Sequence, residues 1–262
     1  MTLVDLPGLD AIGIRADNPG AFTLTGTNSW VLGRDPAWVV DPGPALADHI
    51  ETLTAEVQRR GGLGGIALTH DHADHSQGVP ALRGRFPDAP LAGARGDTDV
   101  VLREGARFGP LEALATPGHA PDHFAFLLDT LALTGDAVLG TGSVFIAPDP
   151  GALAGYLDGL ARLRTRPLTL LAPGHGPVVH DPRAKLDEYI AHRREREQRL
   201  LAALSAGARS VPEMLAAAWD DVPAALRPAA TVTLAAHLDK LAGEERLPSD
   251  VERPRLSELS PS

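Results

Sequence analysis

The stretch His70-Asp71-His72-Ala73-Asp74-His75 sets His70, His72, Asp74 and His75 within six residues, and no other stretch narrows the fold as far. It follows the short apolar run Ile66-Ala67-Leu68, which reads as a buried strand ending at Thr69. The histidines therefore sit on a strand-to-helix loop, whose irregular backbone can aim four side chains at one point where a regular helix cannot. Imidazole and carboxylate suit zinc, and by softness also iron or manganese, when no thiolate competes. The chain has no Cys, which removes thiolate nucleophiles, cysteine-based zinc sites and any disulfide framework.

Three further residues arrive singly: His119 in Thr-Pro-Gly-His, Asp136 in Thr-Gly-Asp and His175 in Pro-Gly-His-Gly. Each stands beside a glycine near the end of an apolar stretch. Any one of these histidines alone would read as a surface or supporting residue. Together with the rare HxHxDH string they point to a site for two metal ions.

The surrounding pattern is mixed α/β. Ala11 to Arg15, Ser29 to Leu32 and Ala37 to Val40 read as strands, with a tight reversal at Gly33 to Pro36. Leu46, Ile50, Leu53 and Val57 form a helical stripe. A second strand block covers Leu111 to Ala115, His123 to Leu128 and Thr130 to Thr134. A helix around Ala152 to Leu163, a strand at Leu168 to Ala172 and a long helix from Pro182 follow. Beyond about Arg199 the texture changes to three helical segments, Leu200 to Ala206, Pro212 to Trp219 and Pro228 to Leu241, with a short strand expected at Glu244 to Leu247. We divide the chain into a catalytic domain, residues 1–195, and a winged-helix-like C-terminal module, residues 196–262.

With these motifs in view the chain resembles the metallo-β-lactamase superfamily. The matching stretches are NPGAFTLTGTNSWVLG, THDHADHSQG, TPGHAPDH, GDAVLG and PGHGPVVHDPRAKLDEYIAHRREREQRLL. The resemblance spans nearly the full chain and implies an αββα sandwich. It implies that His70, His72 and His119 hold one metal, that Asp74, His75 and His175 hold a second, and that Asp136 bridges them. A hydroxide shared by the two cations, most simply Zn2+ with Fe or Mn as alternatives, would then be the nucleophile. Within the superfamily the likeness is strongest to the group with a C-terminal winged helix, which includes a mitochondrial endoribonuclease acting on single-stranded RNA. Penicillin-cleaving members usually use a Cys ligand or lack the bridging Asp, and the C-terminal region does not match the glutathione-binding part of glyoxalase II.

Under this scheme Asp74 also orients the hydroxide. His123, four residues after His119, is the expected acid for the leaving group, the other reading being a supporting role behind the ligands. Asp41 is expected to tie a turn or support a ligand histidine, and Asn28 to sit in a turn or face the cleft. His49 and His237 are expected on helix surfaces. His180, His192, Arg193 and Ser143 are candidates for lining a cleft, although the Arg-Arg-Glu-Arg-Glu run reads by default as a solvated helix face.

Two substrate classes fit this chemistry. The winged-helix-like tail favours an RNA phosphodiesterase. Against it stand the net charge of −10, the near balance of acidic and basic residues from Arg193 onward, and the 4% aromatic content, which offers little base-stacking surface. The alternative is hydrolysis of small thioesters, esters or lactones, with the tail serving as a lid or in a homodimer. A third reading is a non-catalytic protein that binds through the winged helix. The sequence shows no apolar run near the length of a membrane span and no signal-like start, so a cytoplasmic location is expected.

Overall fold

The computed structural model describes residues 2–6 and 8–255. Its first sheet has seven strands in sequential order: β1 (Thr2–Asp5), β2 (Ala11–Arg15), β3 (Asn28–Leu32), β4 (Ala37–Val40), β5 (Leu63–Ala67), β6 (Leu91–Gly93) and β7 (Val100–Val101). The early strands pair antiparallel, and β4 through β7 run parallel. The second sheet orders β8 (Arg107–Phe108), β9 (Leu111–Ala115), β10 (Phe124–Leu128), β11 (Leu131–Gly135) and β12 (Leu170–Pro173) as β12-β11-β10-β9-β8.

Side-chain alternation decides which face each strand buries. In β3, Trp30 and Leu32 point toward the second sheet, where they meet Leu111, Ala113, Phe124, Phe126, Leu131 and Leu133. Val31, between them, faces the other way with Val39 and Ile66, against Leu53 and Val57 of α1 (Ala47–Arg59) and Leu82 of α3 (Val79–Arg85). The short α2 (Ala73–Ser76) carries the metal-type motif between them. On the second sheet, Ala125, Leu127 and Ala132 face Leu153, Tyr156 and Leu160 of α4 (Ala152–Arg164) and Leu186 and Tyr189 of α5 (Pro182–Ser205). Helix, sheet, sheet and helix stack as four layers, the αββα arrangement expected from the sequence.

Parallel strands must be linked by crossovers, and their carboxyl ends collect on one rim. The loops after β5, β9, β11 and β12 all open there. Main-chain bonds lock them together: Phe124 N–H donates to Thr69 O at 2.7 Å, Gly174 N–H to Gly135 O at 2.9 Å and Asn28 N–H to Gly174 O at 2.7 Å.

Helix α5 runs unbroken from Pro182 to Ser205, started by Asp181, whose carboxylate accepts from Ala184 N–H. Its far half joins α6 (Val211–Ala218) and α7 (Arg227–Gly243) around a separate core of Leu200, Leu204, Met214, Trp219, Leu234 and Leu238. Residues 256–262 of the C-terminal module lie outside the described residues. The strand expected at Glu244 to Leu247 is not formed. Instead α7 closes on itself: Glu245 takes a positive φ of 58°, and Arg246 N–H returns to Leu241 O at 2.8 Å, which satisfies the last carbonyls of the helix and turns the chain away. No β-wing therefore occurs among the described residues. No helix among them is long and apolar enough to cross a membrane.

Candidate metal centre

Every expected ligand reaches the same rim. His70 and His72 come from the loop after β5, Asp74 and His75 from the short α2 that follows it, His119 from the β9–β10 turn, Asp136 from the residue after β11 and His175 from the turn after β12. On one side of the centre, His72 Nδ1 lies 3.0 Å from both His70 Nε2 and His119 Nε2. On the other, His175 Nε2 lies 3.3 Å from His75 Nε2 and 3.2 Å from Asp74 Oδ2. Asp136 stands between the two groups. Its Oδ2 is 3.5 Å from His119 Nε2, and its Oδ1 is 3.5 Å from His75 Nε2 and 3.4 Å from His175 Nε2.

The outer nitrogens explain why the inner ones converge. His75 Nδ1 donates to Asp41 Oδ2 at 2.9 Å, His119 Nδ1 to the Phe145 carbonyl at 3.1 Å and His175 Nδ1 to the Gly26 carbonyl at 3.3 Å. Thr69 Oγ1 donates to Asp41 Oδ2 at 2.7 Å, so it accepts from His70 Nδ1 at 3.0 Å. Each bond holds a proton on the outward nitrogen and turns the inward Nε2 toward the place a cation would take.

Electrostatics agree. Burial alone would raise the Asp74 carboxyl, but the bond from His175 and the charge of His75 outweigh it and hold it at about 2. Asp136 is held well below the usual carboxylate range: burial opposes ionisation, and His75 and His175 overcome it. Burial would lower His175, yet the adjacent Asp136 and Asp74 carboxylates raise it to about 9. His70 is pushed down by burial and by its imidazole neighbours. These nitrogens and ionised carboxylates call for positive charge.

Two observations test whether a metal fits. Asp136 Oδ1 is buried without a hydrogen-bond partner while it faces two imidazole nitrogens. A Cβ at Gly174 would lie 2.6 Å from that oxygen and 2.7 Å from His75 Cε1, so only glycine leaves the centre open. Three groups have ligand atoms close enough to share an ion: His70, His72 and His119; His70, His75 and Asp136; and Asp74, His75 and His175. The residues present fit divalent metal.

The model of the metallo-beta-lactamase superfamily matches residues 22–100. Lactamase-like protein adaB of Aspergillus niger is 32% identical over 259 residues, 89% of this chain and 80% of that protein. The chain belongs to the metallo-β-lactamase superfamily. An atrochrysone carboxyl ACP thioesterase of Aspergillus fumigatus is 32% identical over 226 residues, 78% of this chain and 69% of the relative. Among solved structures, a metallo-beta-lactamase family protein from Thermus thermophilus superposes with a TM-score of 0.66 at 25% identity, covering 92% of this chain and 95% of its own.

In this metallo-β-lactamase fold the other sequence candidates take clear places. Asp41 supports the ligands as expected, accepting from Thr69 N–H, Thr69 Oγ1 and His75 Nδ1. Asn28 is neither in a turn nor in the cleft. It lies in β3, and its Nδ2 donates to the Pro173 and Gly176 carbonyls, which sets the turn carrying His175. His123 is buried behind Asp136. Its Nε2 accepts from Asp136 N–H at 3.0 Å, and its Nδ1 meets Thr116 Oγ1 at 2.8 Å, so both ring nitrogens are engaged and Nε2 has no proton to give. His49 and His237, expected on the surface, are fully buried. His49 bonds Ser29 Oγ at 2.9 Å, and His237 packs against Trp219.

A cavity of about 290 Å3 opens from His119 and Asp136. One wall is Phe22, Leu24, Leu139 and Phe145 of the sandwich, and the other is Trp219, Val222 and Ala230 of the C-terminal helices. Ser143, His192 and Arg193 do line it, as the sequence suggested. Arg193 and Arg196 are not on a solvated helix face; both are buried. Residues 137–145, which follow Asp136, are held by α4 and α5: Tyr156 OH donates to Ala137 O, Tyr189 OH to Gly142 O, and Arg193 to Ser143 and Val144. Thr27, whose Oγ1 donates to Asp74 Oδ2 at 3.2 Å, escaped the sequence reading, as did Thr69. Only its place directly before His70 could have drawn notice to Thr69.

Proposed function

We propose that the protein is a binuclear metal-dependent hydrolase of small acyl thioesters. The observation that carries this reading is the cavity, which joins His119 and Asp136 to a mostly apolar, bounded space. Its volume of about 290 Å3 suits a short acyl chain. His70, His72 and His119 would hold one ion and Asp74, His75 and His175 the other, with Asp136 between them. Zinc is the proposed metal, and the same donors accept iron or manganese. When bound, such ions supply Lewis acidity toward the carbonyl oxygen and lower the pKa of water.

The chain's own residues do the rest. Asp74 is ionised and its side chain is 29% exposed, so its carboxylate can accept a hydrogen bond from an attacking water and orient it. Thr27 Oγ1 fixes that carboxylate. The apolar walls hold the acyl group and exclude bulk water. A thiolate leaving group has a pKa near 8.5 and departs without a proton. The placement of His123, which offers no donor to substrate, is therefore no obstacle to a thioesterase, whereas an alkoxide leaving group would need an acid. The relative named as a thioesterase supports the same class.

The phosphodiesterase reading has less support, because the described residues form no wing and the chain's net charge of −10 does not favour a phosphate backbone. The C-terminal helices roof the cavity in the thioesterase reading, which gives the module a use beyond nucleic-acid or other non-catalytic binding. The test is hydrolysis of short-chain acyl thioesters of N-acetylcysteamine by metal-loaded protein, beside Asp136→Ala and beside a labelled single-stranded RNA. Thioester turnover lost in the variant is the expected result. RNA cleavage lost in the variant, with no thioester turnover, would replace this reading by the phosphodiesterase.

A further inference from the structure

Two arginines of α5, Arg193 and Arg196, line the cavity beside His192, and their charges are compensated differently. Arg196 is neutralised by Asp221 through two bonds of 2.6 Å. Arg193 is 3% exposed, and no carboxylate pairs with it among the described residues. Its Nη2 donates to Ser143 Oγ at 3.0 Å and to the Val144 carbonyl, and its guanidinium lies 5.6 Å from the Tyr156 ring centre. Its Nε has no hydrogen-bond partner. A buried cation without a counter-charge is costly, and such groups concentrate where a ligand completes them.

The position of Arg193 relative to the metal centre is set by a short stretch of chain. Ser143 and Val144 touch Arg193, while the Phe145 carbonyl accepts from His119 Nδ1. Residues 143 and 145 are at most ~7 Å apart, since an extended chain spans ~3.3–3.6 Å per residue. One ligand of modest length can therefore reach both the histidine cluster and the guanidinium. Guanidinium matches carboxylate geometry, and the bond gains strength where water is excluded.

We infer that Arg193, with His192 beside it, is the anion-recognising end of this cavity, and that the acyl group bound there carries a carboxylate remote from the bond that is cleaved. The acyl identity of the ligand rests on the thioesterase reading; the anion site does not. Most of the other wall residues, among them Phe22, Leu139, Phe145 and Trp219, are apolar and suit the methylene or ring carbons between the two ends.

The test is calorimetric titration of metal-loaded protein with glutarate, adipate and pimelate, each beside its own monoamide, which keeps one carboxylate and replaces the other by a neutral group of equal size. At least one diacid should bind about tenfold or more tightly than its monoamide, since a hydrogen bond to a charged group contributes that much. Arg193→Met should erase the difference, and Arg193→Lys should restore part of it. Equal binding of every diacid and its monoamide by the wild type, or a preference that survives in a folded Arg193→Met protein, overturns the proposal. The wild-type comparison stands even where the methionine variant does not fold. Turnover of the matching half-thioesters separates the two readings. Diacid preference without turnover keeps the anion site and rejects the thioesterase, and turnover without diacid preference does the reverse.

Discussion

Asp41 is one buried carboxylate with three donors on it, two from Thr69 and one from His75. It holds a positive φ of 52°, a backbone conformation that side chains other than glycine adopt at a cost, so the acceptor is kept where the strand ends need it. Asp41→Asn would lose one acceptor and release His75 and, through Thr69, His70. Metal affinity should fall about 10–100-fold, the usual effect of removing such a support, measured by competition with a chromophoric chelator. Gly174→Ala would push a methyl group against Asp136 Oδ1 and the His75 ring. That variant should fold yet bind less metal; full metal content with full activity would refute the placement of the two residues. The seven candidate ligands were legible in sequence because a rare string and three Gly-flanked residues mark them. Thr27, Thr69 and Asn28 were not, because each works through a contact with a residue distant in sequence or an otherwise ordinary neighbour, and nothing in their types announces it.

Helices were easier to place than their roles. The stripe of Leu46, Ile50, Leu53 and Val57 foretold α1, but His49 within that helix points into a polar gap beside Ser29, a matter of packing that periodicity does not carry. Likewise α7 was foreseen and His237 misplaced, since the core that buries it is supplied by Trp219 and its neighbours. Burial, helped by the charges of Arg193 and Lys240, pushes His237 down to about 3. The unfolded chain therefore binds a proton that the folded chain refuses. The neutral form's contribution is fully present above about pH 6.5 and is lost as pH falls toward 3, at up to about 1.4 kcal/mol per pH unit for one proton. Urea unfolding from pH 7 to 4.5 should show this slope, and His237→Leu should remove one proton's worth of it. An unchanged slope in the variant would mean that His237 is protonated in the folded protein. The absence of a wing among the described residues has a similar cause: Glu244 to Leu247 carries strand-like spacing, but the closure of α7 on Leu241 satisfies the backbone first.

Across the whole molecule the αββα order followed from where apolar residues alternate and where they recur at helical spacing, and from the family resemblance. What the sequence left open was the use of the C-terminal helices, because a roof over a cavity depends on how two cores meet. Trp219 and Val222 line that cavity, so Trp219→Ala should raise KM for an acyl thioester with smaller loss in kcat, while leaving metal content unchanged. A variant that loses metal instead would place Trp219 among the supports of the centre. The central claim is a centre for two metals divided by Asp136. Native mass spectrometry of zinc-loaded wild type, His119→Ala and His175→Ala tests it most directly. The account predicts two ions per wild-type chain and one in each variant, whereas a single ion in the wild type, or two retained in both variants, would contradict it.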